Sequence, residues 1–576
     1  MWGTGDMARA GRTVVQLQPG QIVRRARLRT QRAAVAHRPF GQWILSGPDP
    51  ESAAGWPTGY APLDLSVWHG WPGGPALRGG VMSLLGLTRV LAPARGDEGA
   101  DWAGADWALT AEPLLWRYHL YYWDWAWSLA SEPQRAPARA LFAAMWESWH
   151  ARVAAGRGTA WRSYPVALRA WSFCGIYRAL VADSSIEAAF RADLAAHTGF
   201  LRRNLETDVG GNHLLKNLKA LAGLAVFFGD DSLLERTLTQ LTRQLAVQVL
   251  PDGGHYERAP AYHCQVLGDL IDVAGLLRAA GREEPAELPR TIGAMRRWLG
   301  TVLTPAGEVP LLNDGYPVSP TLLAGLRPAE PPTGTLHVLP DTGLARATAG
   351  DWHLLADIGL PCPRELPAHA HADTLSCLVH LGSEPLLIDT GTSTYAPGPV
   401  RDHERSTAAH NTLEVDGRDS TEIWGAFRAG RRARVSGVSA EADAGVVTIT
   451  AAHDGYRSLP GRPRHHRRWS LDQDELRVDD TVSGSGRHHV VVRWHLAPST
   501  RLRLVPGGAI VATSRATVSV TVTANSQPAL LASTAEVGTG FGRTVPGPVL
   551  ACTLHPELPV QISTVWRRAD PRQERT

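Results

Sequence analysis

The periodicity of the apolar residues changes once along this chain of 576 residues. From about residue 105 to 300, apolar residues recur at the spacing of amphipathic helices. After a proline-rich stretch that begins near residue 327, short runs of alternating apolar and polar residues follow, separated by Gly, Asp, Asn and Pro. Because one core rarely grows beyond about 250–300 residues, the sequence predicts an α+β protein of at least two domains.

We divide the chain into an N-terminal arm (1–100), a helical domain (101–330) and a strand-rich domain (338–576). The arm contains a short basic helix near residues 21–35, followed by a Gly/Pro-rich run. Helices are predicted near 106–130, 135–155, 161–181, 185–204, 212–229, 231–250, 260–280 and 287–301. Short connections favour antiparallel helix pairs, which can curve into a toroid or a solenoid. The alternating runs predict an antiparallel β-sandwich.

Composition and charge argue against several classes of protein. The net charge is +3, and no concentrated basic stripe of the kind that binds nucleic acid is present. No apolar stretch is long enough for a bilayer span or a signal peptide, so we expect a cytoplasmic protein without a membrane partner. The five cysteines are scattered and form no CxxC pair, which argues against a disulfide framework and a thiolate metal site.

Two further features leave alternatives open. The chain has 21 tryptophans, with a dense group in WRYHLYYWDWAW from Trp116 to Trp127. Such rings either fill a helix core or stack on the faces of sugars. The stretch GAFRAGRRARV, from Gly425, is either a positively charged rim or a solvated strand edge, and the pattern slightly favours the edge.

Titratable residues are concentrated between His369 and Asp419. In HAHADTLSCLVHL, three such residues alternate, so an extended strand would place them on one face; they are His369, His371 and Asp373. The alternative is an ordinary surface strand. In LLIDTGT and RSTAAHNTLEVDG, four more polar residues lie where apolar runs begin or end, a usual position for site residues; they are Asp389, Arg405, His410 and Asn411.

The spacing of the strands bears on whether these residues could meet. A simple hairpin turning at Gly382 and Ser383 would place Asp389 opposite Ser376. Ser376 has the opposite side-chain parity to His371, so periodicity alone does not bring His371 and Asp389 together. A bent strand or a β-bulge would be required.

Two helical motifs carry further candidates. In GGNHLLKNLKALAGLAVF, Asn212 lies at the start of a helix, outside its apolar face, where a helix N-cap is the alternative interpretation. In PDGGHYERAPAYHCQVLGDLIDV, Pro260 suits the first helical position, which places Tyr262 and His263 in the first turn. Packing against a neighbouring helix is the alternative for Tyr262. The polar break LLNDG, with Asn313 and Asp314, is a weaker candidate for the same cleft.

The runs HAHAD, LLIDTGT and RSTAAHNTLEVDG, together with GNHL and the Tyr-His helix start, resemble the signature of the heparinase II/III-like polysaccharide lyases. The resemblance covers roughly residues 110 to 500. It implies an incomplete (α/α) toroid followed by an antiparallel β-sandwich, with the active site at their junction. Some relatives of this kind are exported, so the resemblance also leaves a cell-envelope or secreted location open.

The activity implied by the resemblance is β-elimination on an anionic, uronic-acid-containing polysaccharide. The matching positions make Asn212 the group that binds the uronate carboxylate, and they make Tyr262 and His369 the acid and base on opposite sides of the sugar. Which of the two is the base is left open. Supporting or substrate-binding roles fall on Glu257, His263, Arg405 and Asn411. No organic cofactor is required, and the polymer and the oligomeric state are not indicated.

The resemblance also implies a structural zinc ion held by His371, Asp389 and His410. Two other functions compete. A zinc hydrolase would use the same ligands around a bound water, but it gives Asn212 and Tyr262 no role. A non-catalytic polysaccharide-binding protein would keep the groove, but it leaves the coincidence of Asn212, Tyr262 and His369 unexplained. Ultraviolet absorbance of the product separates the three functions.

Overall fold

The computed structural model describes residues 4–35, 37–53, 55–60, 62–63, 71–94 and 99–569. Its arm contains four helices and a hairpin: α1 (Thr4–Val14), α2 (Pro19–Ala34), α3 (Arg38–Leu45), α4 (Gly74–Arg78), β1 (Val81–Leu84) and β2 (Leu87–Val90). Helix α2 is the predicted basic helix, whereas the hairpin was not predicted. The described arm is therefore more regular than its Gly/Pro-rich sequence suggests.

The helical domain follows the predicted order. Its helices are α5 (Leu114–Tyr122), α6 (Ala126–Ala130), α7 (Arg135–Arg152), α8 (Ser163–Leu180), α9 (Glu187–Arg203), α10 (Gly211–Phe228), α11 (Asp231–Gln248), α12 (Pro260–Ala279), α13 (Glu287–Val302) and α14 (Pro320–Leu326). The helix predicted over 106–130 is divided, because Trp123 has a φ of 55°. A left-handed residue cannot continue a right-handed helix. Helix α10 is central, since it packs against α8, α11 and α12.

The tryptophan-rich segment forms core. Trp116, Trp123 and Trp125 are fully buried. The ring of Trp107 stacks on that of Trp123, with centroids 5.5 Å apart, and meets Trp149 edge-on at 5.4 Å. The core interpretation is therefore correct for these side chains, which stabilise the helical domain by burying large apolar surfaces.

The C-terminal part consists of antiparallel sheets, as predicted. A five-stranded sheet has the order β3 (Leu336–Leu339), β4 (Leu344–Ala349), β5 (Trp352–Asp357), β6 (Cys377–Leu381) and β7 (Glu384–Leu387). A four-stranded sheet has the order β19 (Ala529–Gly540), β20 (Arg543–Leu554), β15 (Val490–His495) and β8 (Leu413–Val415). A short pair joins β9 (Ile423–Trp424) and β10 (Arg428–Ala429), and helix α15 (Pro399–Glu404) precedes β8.

The largest sheet has eight strands. Their order is β11 (Val435–Asp443), β12 (Val446–His453), β13 (Arg464–Leu471), β14 (Glu475–Ser483), β21 (Val560–Arg568), β18 (Thr517–Ala524), β17 (Gly508–Ala512) and β16 (Arg501–Val505). Alternate residues of these strands, such as Trp469 and Trp566, share one apolar core with residues of the four-stranded and five-stranded sheets. Trp494 of β15 is one of the latter. Facing sheets with a shared core make the predicted β-sandwich.

The helical domain and the five-stranded sheet also share apolar core. Leu344 and Leu378 of the sheet belong to the same buried cluster as Trp298 of α13. The Trp298 indole donates a hydrogen bond to the Thr342 hydroxyl at 3.0 Å, and Arg258 donates to the Thr342 carbonyl at 2.7 Å. The two parts are thus held in a fixed relation, with the predicted site residues at their junction. No described helix is long and apolar enough to cross a membrane.

Candidate active site

Asn212 lies in the first turn of α10, and the cap of this helix comes from another part of the chain. The backbone N–H of Asn212 donates a hydrogen bond to Glu257 Oε1 at 2.8 Å. The preceding Gly210 and Gly211 have positive φ values of 74° and 56°. A Cβ on Gly211 would collide with the Glu257 carboxylate and with Leu366, so only glycine permits this approach. The N-cap interpretation of Asn212 is therefore wrong, since Gly210 occupies the cap position.

The imidazole of His369 lies between two buried carboxylates. Its Nε2 donates to Glu257 Oε2 at 3.0 Å, and its Nδ1 donates to Asp314 Oδ2 at 2.9 Å. Burial alone would lower the pKa of His369, but the two carboxylates raise it to about 9. Burial likewise opposes ionisation of Glu257, yet His369 brings the pKa of Glu257 down to about 2. At neutral pH His369 is therefore a cation, with both ring nitrogens engaged.

Tyr262 lies directly against this cation. It sits in the first turn of α12, as predicted, and its ring centroid is 3.7 Å from that of His369. Its hydroxyl shares a hydrogen bond of 2.8 Å with the hydroxyl of Tyr395. Burial raises the pKa of Tyr262 well above its ordinary value, so the hydroxyl is protonated at neutral pH. The expectation that Tyr262 and His369 flank a sugar from opposite sides differs from this arrangement, in which the two rings touch.

Asp314 is the centre of the buried charge network. Besides His369, its carboxylate accepts hydrogen bonds from His371 Nε2 at 2.9 Å and from both terminal nitrogens of Arg401, one of them at 2.9 Å. Burial opposes its ionisation, but Arg401 and the two histidines hold the pKa of Asp314 well below its ordinary value. The carboxylate is therefore permanently charged, and it fixes the orientation of both imidazoles. The neighbouring Asn313 accepts from the His371 N–H at 3.0 Å.

The HAHAD segment is not a strand, contrary to the sequence prediction. Strand β6 begins only at Cys377, and the preceding residues form turns, one of them closed by the hydrogen bond from Ser376 N–H to the Asp373 carbonyl. His369 and His371 nevertheless reach the same partner, because each binds one oxygen of Asp314. Asp373 does not join them. Its Oδ1 is buried and has no hydrogen-bond partner among the described residues.

The three predicted metal ligands come close together. The register of the β6–β7 hairpin shifts between Val379 and His380. The ring centroids of His371 and His410 are 5.2 Å apart. In the described part of the chain, Nδ1 of His371 and Nε2 of His410 are buried without a hydrogen-bond partner.

Asp389 was predicted to be a metal ligand, but both of its carboxylate oxygens accept hydrogen bonds from the protein. Its Oδ2 accepts from Nδ1 of His410 at 2.8 Å, and its Oδ1 accepts from the N–H of Gly391 at 3.0 Å. Across the described ranges, no group of three or more His, Cys, Asp or Glu is arranged to hold an ion. The two imidazole nitrogens without a hydrogen-bond partner could each bind a metal. Asp389 orients the imidazole of His410 by accepting a hydrogen bond from its other nitrogen, as carboxylates commonly do for metal-binding histidines.

Three of the four predicted substrate-binding residues use their side chains on other parts of the protein. His263 stacks on Trp298 at 4.3 Å and bonds the Met295 carbonyl. Arg405 donates to the Ala370 carbonyl at 3.0 Å and to the carbonyls of Gly425 and Arg428. Asn411 uses its whole side-chain amide on backbone groups of Cys377, Ile388 and His495. All three are buried. Glu257, the fourth, joins the start of α10 to His369.

Sequence reasoning did not identify two residues of this site, Tyr395 and Arg401. Tyr395 lies six residues after Asp389, and Arg401 lies in the short helix α15. Neither belongs to a periodic pattern, and both acquire their roles only by contact with residues more than 80 positions away. The polar break at LLNDG was the available signal for Asp314, although it did not indicate that the Asp314 carboxylate binds four side chains, which are His369, His371, Thr392 and Arg401.

Comparison with known proteins follows the same division of the chain. Residues 97–327 match the family model "Heparinase II/III N-terminus", and residues 331–547 match "Heparinase II/III-like, C-terminal". FtsZ-localized protein C of Caulobacter vibrioides is 29% identical over 332 residues, which are 52% of this chain and 57% of that protein. The similarity thus spans little more than half of that relative's length.

Solved structures of low sequence identity share the fold. A crystal structure of heparinase III is 13% identical with a TM-score of 0.72, covering 84% of this chain and 81% of its own. A mutant of heparan sulfate lyase HepC from Pedobacter heparinus is 15% identical with a TM-score of 0.63, covering 96% and 89%. The chondroitin AC lyase of Streptomyces coelicolor A3, in complex with chondroitin sulphate, is 12% identical with a TM-score of 0.52, covering 79% and 75%.

Proposed function

Because the chain belongs to the heparinase II/III-like family, we propose that it is a polysaccharide lyase that cleaves an anionic, uronic-acid-containing polysaccharide by β-elimination. The reaction takes place where the helical domain meets the sheets. One observation carries the proposal: the His369 cation lies 3.7 Å from the ring of Tyr262 and is joined through Glu257 to the helix start that bears Asn212. A purely structural histidine has no need of a neighbouring tyrosine pair.

The elimination places three demands on such a site. The C5–H bond of the uronate breaks, its electrons form the C4–C5 double bond, and the C4–O bond to the leaving sugar breaks. Negative charge builds up on the carboxylate as the proton leaves, so the enzyme must stabilise that charge. In our proposal the Asn212 amide donates a hydrogen bond to the carboxylate, and the positive charge of His369, whose ring nitrogens stay with Glu257 and Asp314, attracts it electrostatically. Both interactions strengthen as the charge grows, and they therefore favour the transition state over bound substrate.

Proton transfer falls to Tyr262. Its hydroxyl proton passes to the leaving glycosidic oxygen while the C5 proton passes to the phenolic oxygen, so the enzyme ends in its starting protonation state. The hydrogen bond to Tyr395 holds the hydroxyl in one direction. The alternative, with His369 as the base, requires Nε2 of His369 to lose its proton and leave Glu257, against a pKa of about 9. The contacts of His369 therefore favour Tyr262 as the residue that transfers the protons.

A structural zinc ion remains part of the proposal. His371 and His410 would hold it through the ring nitrogens that have no partner among the described residues, and Asp389 would orient His410 through the hydrogen bond at Nδ1. When bound, the ion would fix the turns that carry His369 and would take no part in the elimination. Burial lowers the pKa of His371 to about 4, so this imidazole is neutral at physiological pH, the form that binds metals.

The test is a screen of uronate polymers with the full-length protein. Heparan sulfate, chondroitin sulfate, hyaluronan and alginate are incubated separately, and the absorbance of the new double bond is followed. A lyase produces ultraviolet absorbance in step with chain shortening, and Tyr262→Phe abolishes both. Chain shortening without absorbance would support the zinc hydrolase. Binding without chain shortening on any polymer would support the non-catalytic protein.

A further inference from the structure

A basic cavity of about 650 Å³ lies between helix α1 and the strand-rich domain. Its volume is within the roughly 300–1,000 Å³ of ordinary ligand sites. Among the described residues that line it, none is acidic and six are arginines: Arg12, Arg364, Arg431, Arg432, Arg434 and Arg457. Three of these belong to the Arg-rich stretch that begins at Gly425. That stretch is therefore part of the wall of a cavity rather than a solvated strand edge.

The positive charge of this cavity is only partly neutralised by the protein. Glu422 forms an ion pair with Arg12, and Asp454 forms one with Arg457 at 2.8 Å. Among the residues that the structure describes, the other four arginines of the cavity form no salt bridge with a carboxylate, although the Glu422 carboxylate also lies near Arg431. The lining therefore keeps an excess of positive charge over the carboxylates that pair with it among the described residues.

The cavity is close to the proposed active site along the chain. The segment from Leu360 to Arg364 lines the cavity and continues directly to His369. The five residues from Arg364 to His369 span at most about 18 Å when fully extended. Between them, Leu366 packs beside Gly211, next to Asn212. The separation between the two places is therefore no greater than the length of a short oligosaccharide.

We infer that this cavity binds a sulfate or carboxylate group of the same polysaccharide chain whose uronate occupies the site at His369. The inference rests on the proposed function and adds a binding site for a neighbouring sugar to it. Guanidinium groups bind both kinds of oxyanion through paired hydrogen bonds. The apolar side chains of Val15 and Leu360, which also line the cavity, supply contact for the sugar ring.

The experiment measures binding separately from turnover. Calorimetry measures the affinity of the full-length Tyr262→Phe protein, which does not cleave the probes, for two octasaccharides. The heparin octasaccharide carries sulfates and carboxylates. The hyaluronan octasaccharide carries carboxylates only. Into this protein we introduce Arg364→Gln and Arg434→Gln together, because both side chains are exposed and lack a carboxylate partner among the described residues. We expect at least about a tenfold loss of affinity, since each removes a charge-assisted hydrogen bond.

The matched control replaces two exposed arginines of strand β16, Arg501→Gln and Arg503→Gln, with the same loss of charge. It should bind both octasaccharides like the parent protein.

A second variant, Gly11→Trp, obstructs the cavity without changing its charge. A Cβ at Gly11 meets no atom within 4 Å, so the larger side chain can be accommodated there. This variant should also weaken binding. A larger loss for heparin than for hyaluronan assigns the cavity to sulfate, and an equal loss assigns it to carboxylate.

Equal affinity of the Arg364/Arg434 variant and the control variant would overturn the inference, as would tighter binding of a single-stranded RNA of similar length than of either saccharide. Failure of the proposed function looks different. In that case no polymer yields ultraviolet absorbance, yet the binding differences among the variants persist.

Discussion

The ring of Tyr262 lies against the imidazole of His369, with their centroids 3.7 Å apart and their planes inclined by 30°. This contact joins the first turn of a toroid helix to a turn of the strand-rich domain. It therefore exists only when the two domains are docked. Because His369 is cationic, the contact also places positive charge beside the phenol, where it favours any negative charge that develops on the oxygen during proton transfer.

Tyr262→Phe should lower turnover by roughly 10²–10⁴-fold, the usual loss when a positioned acid or base is removed. Phenylalanine keeps the ring contact with His369, so the melting temperature should change little. Initial rates on a cleaved polymer and thermal unfolding are measured on the same preparation. Near-normal turnover in the folded variant would refute the catalytic assignment, because only the hydroxyl is missing.

Asn212→Ala should reduce turnover with little effect on the fold. The helix cap is formed by Glu257 and the backbone N–H of Asn212, and both survive the substitution. The loss should appear mainly in kcat, since the amide binds most strongly to the charge of the transition state. Lys219→Ala, in the same helix but in ion pairs with Asp269 and Asp272, provides the contrast. That variant should lose stability in thermal unfolding, whereas a similar stability loss in Asn212→Ala would indicate a structural role.

The pH dependence of kcat/KM should identify the active form of His369. With a pKa of about 9 and a role as a cation, activity should fall as pH rises through about 9. A base role predicts the reverse, a rise toward pH 9. The raised pKa also stabilises the fold, fully at a pH below the ordinary value of about 6.5, and this contribution is lost as pH rises through about 9. Rates must therefore be taken per folded molecule, with circular dichroism at each pH.

Asp314→Asn should destabilise the protein by about 3–5 kcal/mol, because it leaves the buried Arg401 guanidinium without its counter-charge. Denaturant unfolding measures the loss. The double variant Asp314→Asn, Arg401→Met should recover part of the stability, since it removes the uncompensated charge. Activity should not return with it, because His369 still lacks its partner at Nδ1. Recovery of both properties would show that Asp314 serves the fold alone.

His410→Ala should lower the zinc content from about one ion per chain and reduce the melting temperature. Elemental analysis and thermal unfolding, with and without a chelator, provide the measurement. His353→Ala replaces a histidine of strand β5 that is not a predicted ligand and serves as the control. Unchanged metal content and melting temperature in His410→Ala would remove zinc from the proposal.

The amino-acid sequence by itself determined the order of the domains, the bounds of most helices and the antiparallel character of the sheets. These features depend on local periodicity, capping and turn residues, which a sequence displays directly. It also placed Tyr262 in the first turn of its helix.

Tertiary structure decided the state of the site. Whether His369 is a cation depends on two carboxylates, Glu257 and Asp314, which are 112 and 55 positions away in the chain. Whether Asn411 is free to bind a ligand depends on backbone groups from three parts of the chain, which occupy its side-chain amide. Burial and long-range pairing set the pKa values and the hydrogen-bond partners of these residues. No local pattern encodes them, because the partners are distant in the chain and meet only in the folded tertiary structure.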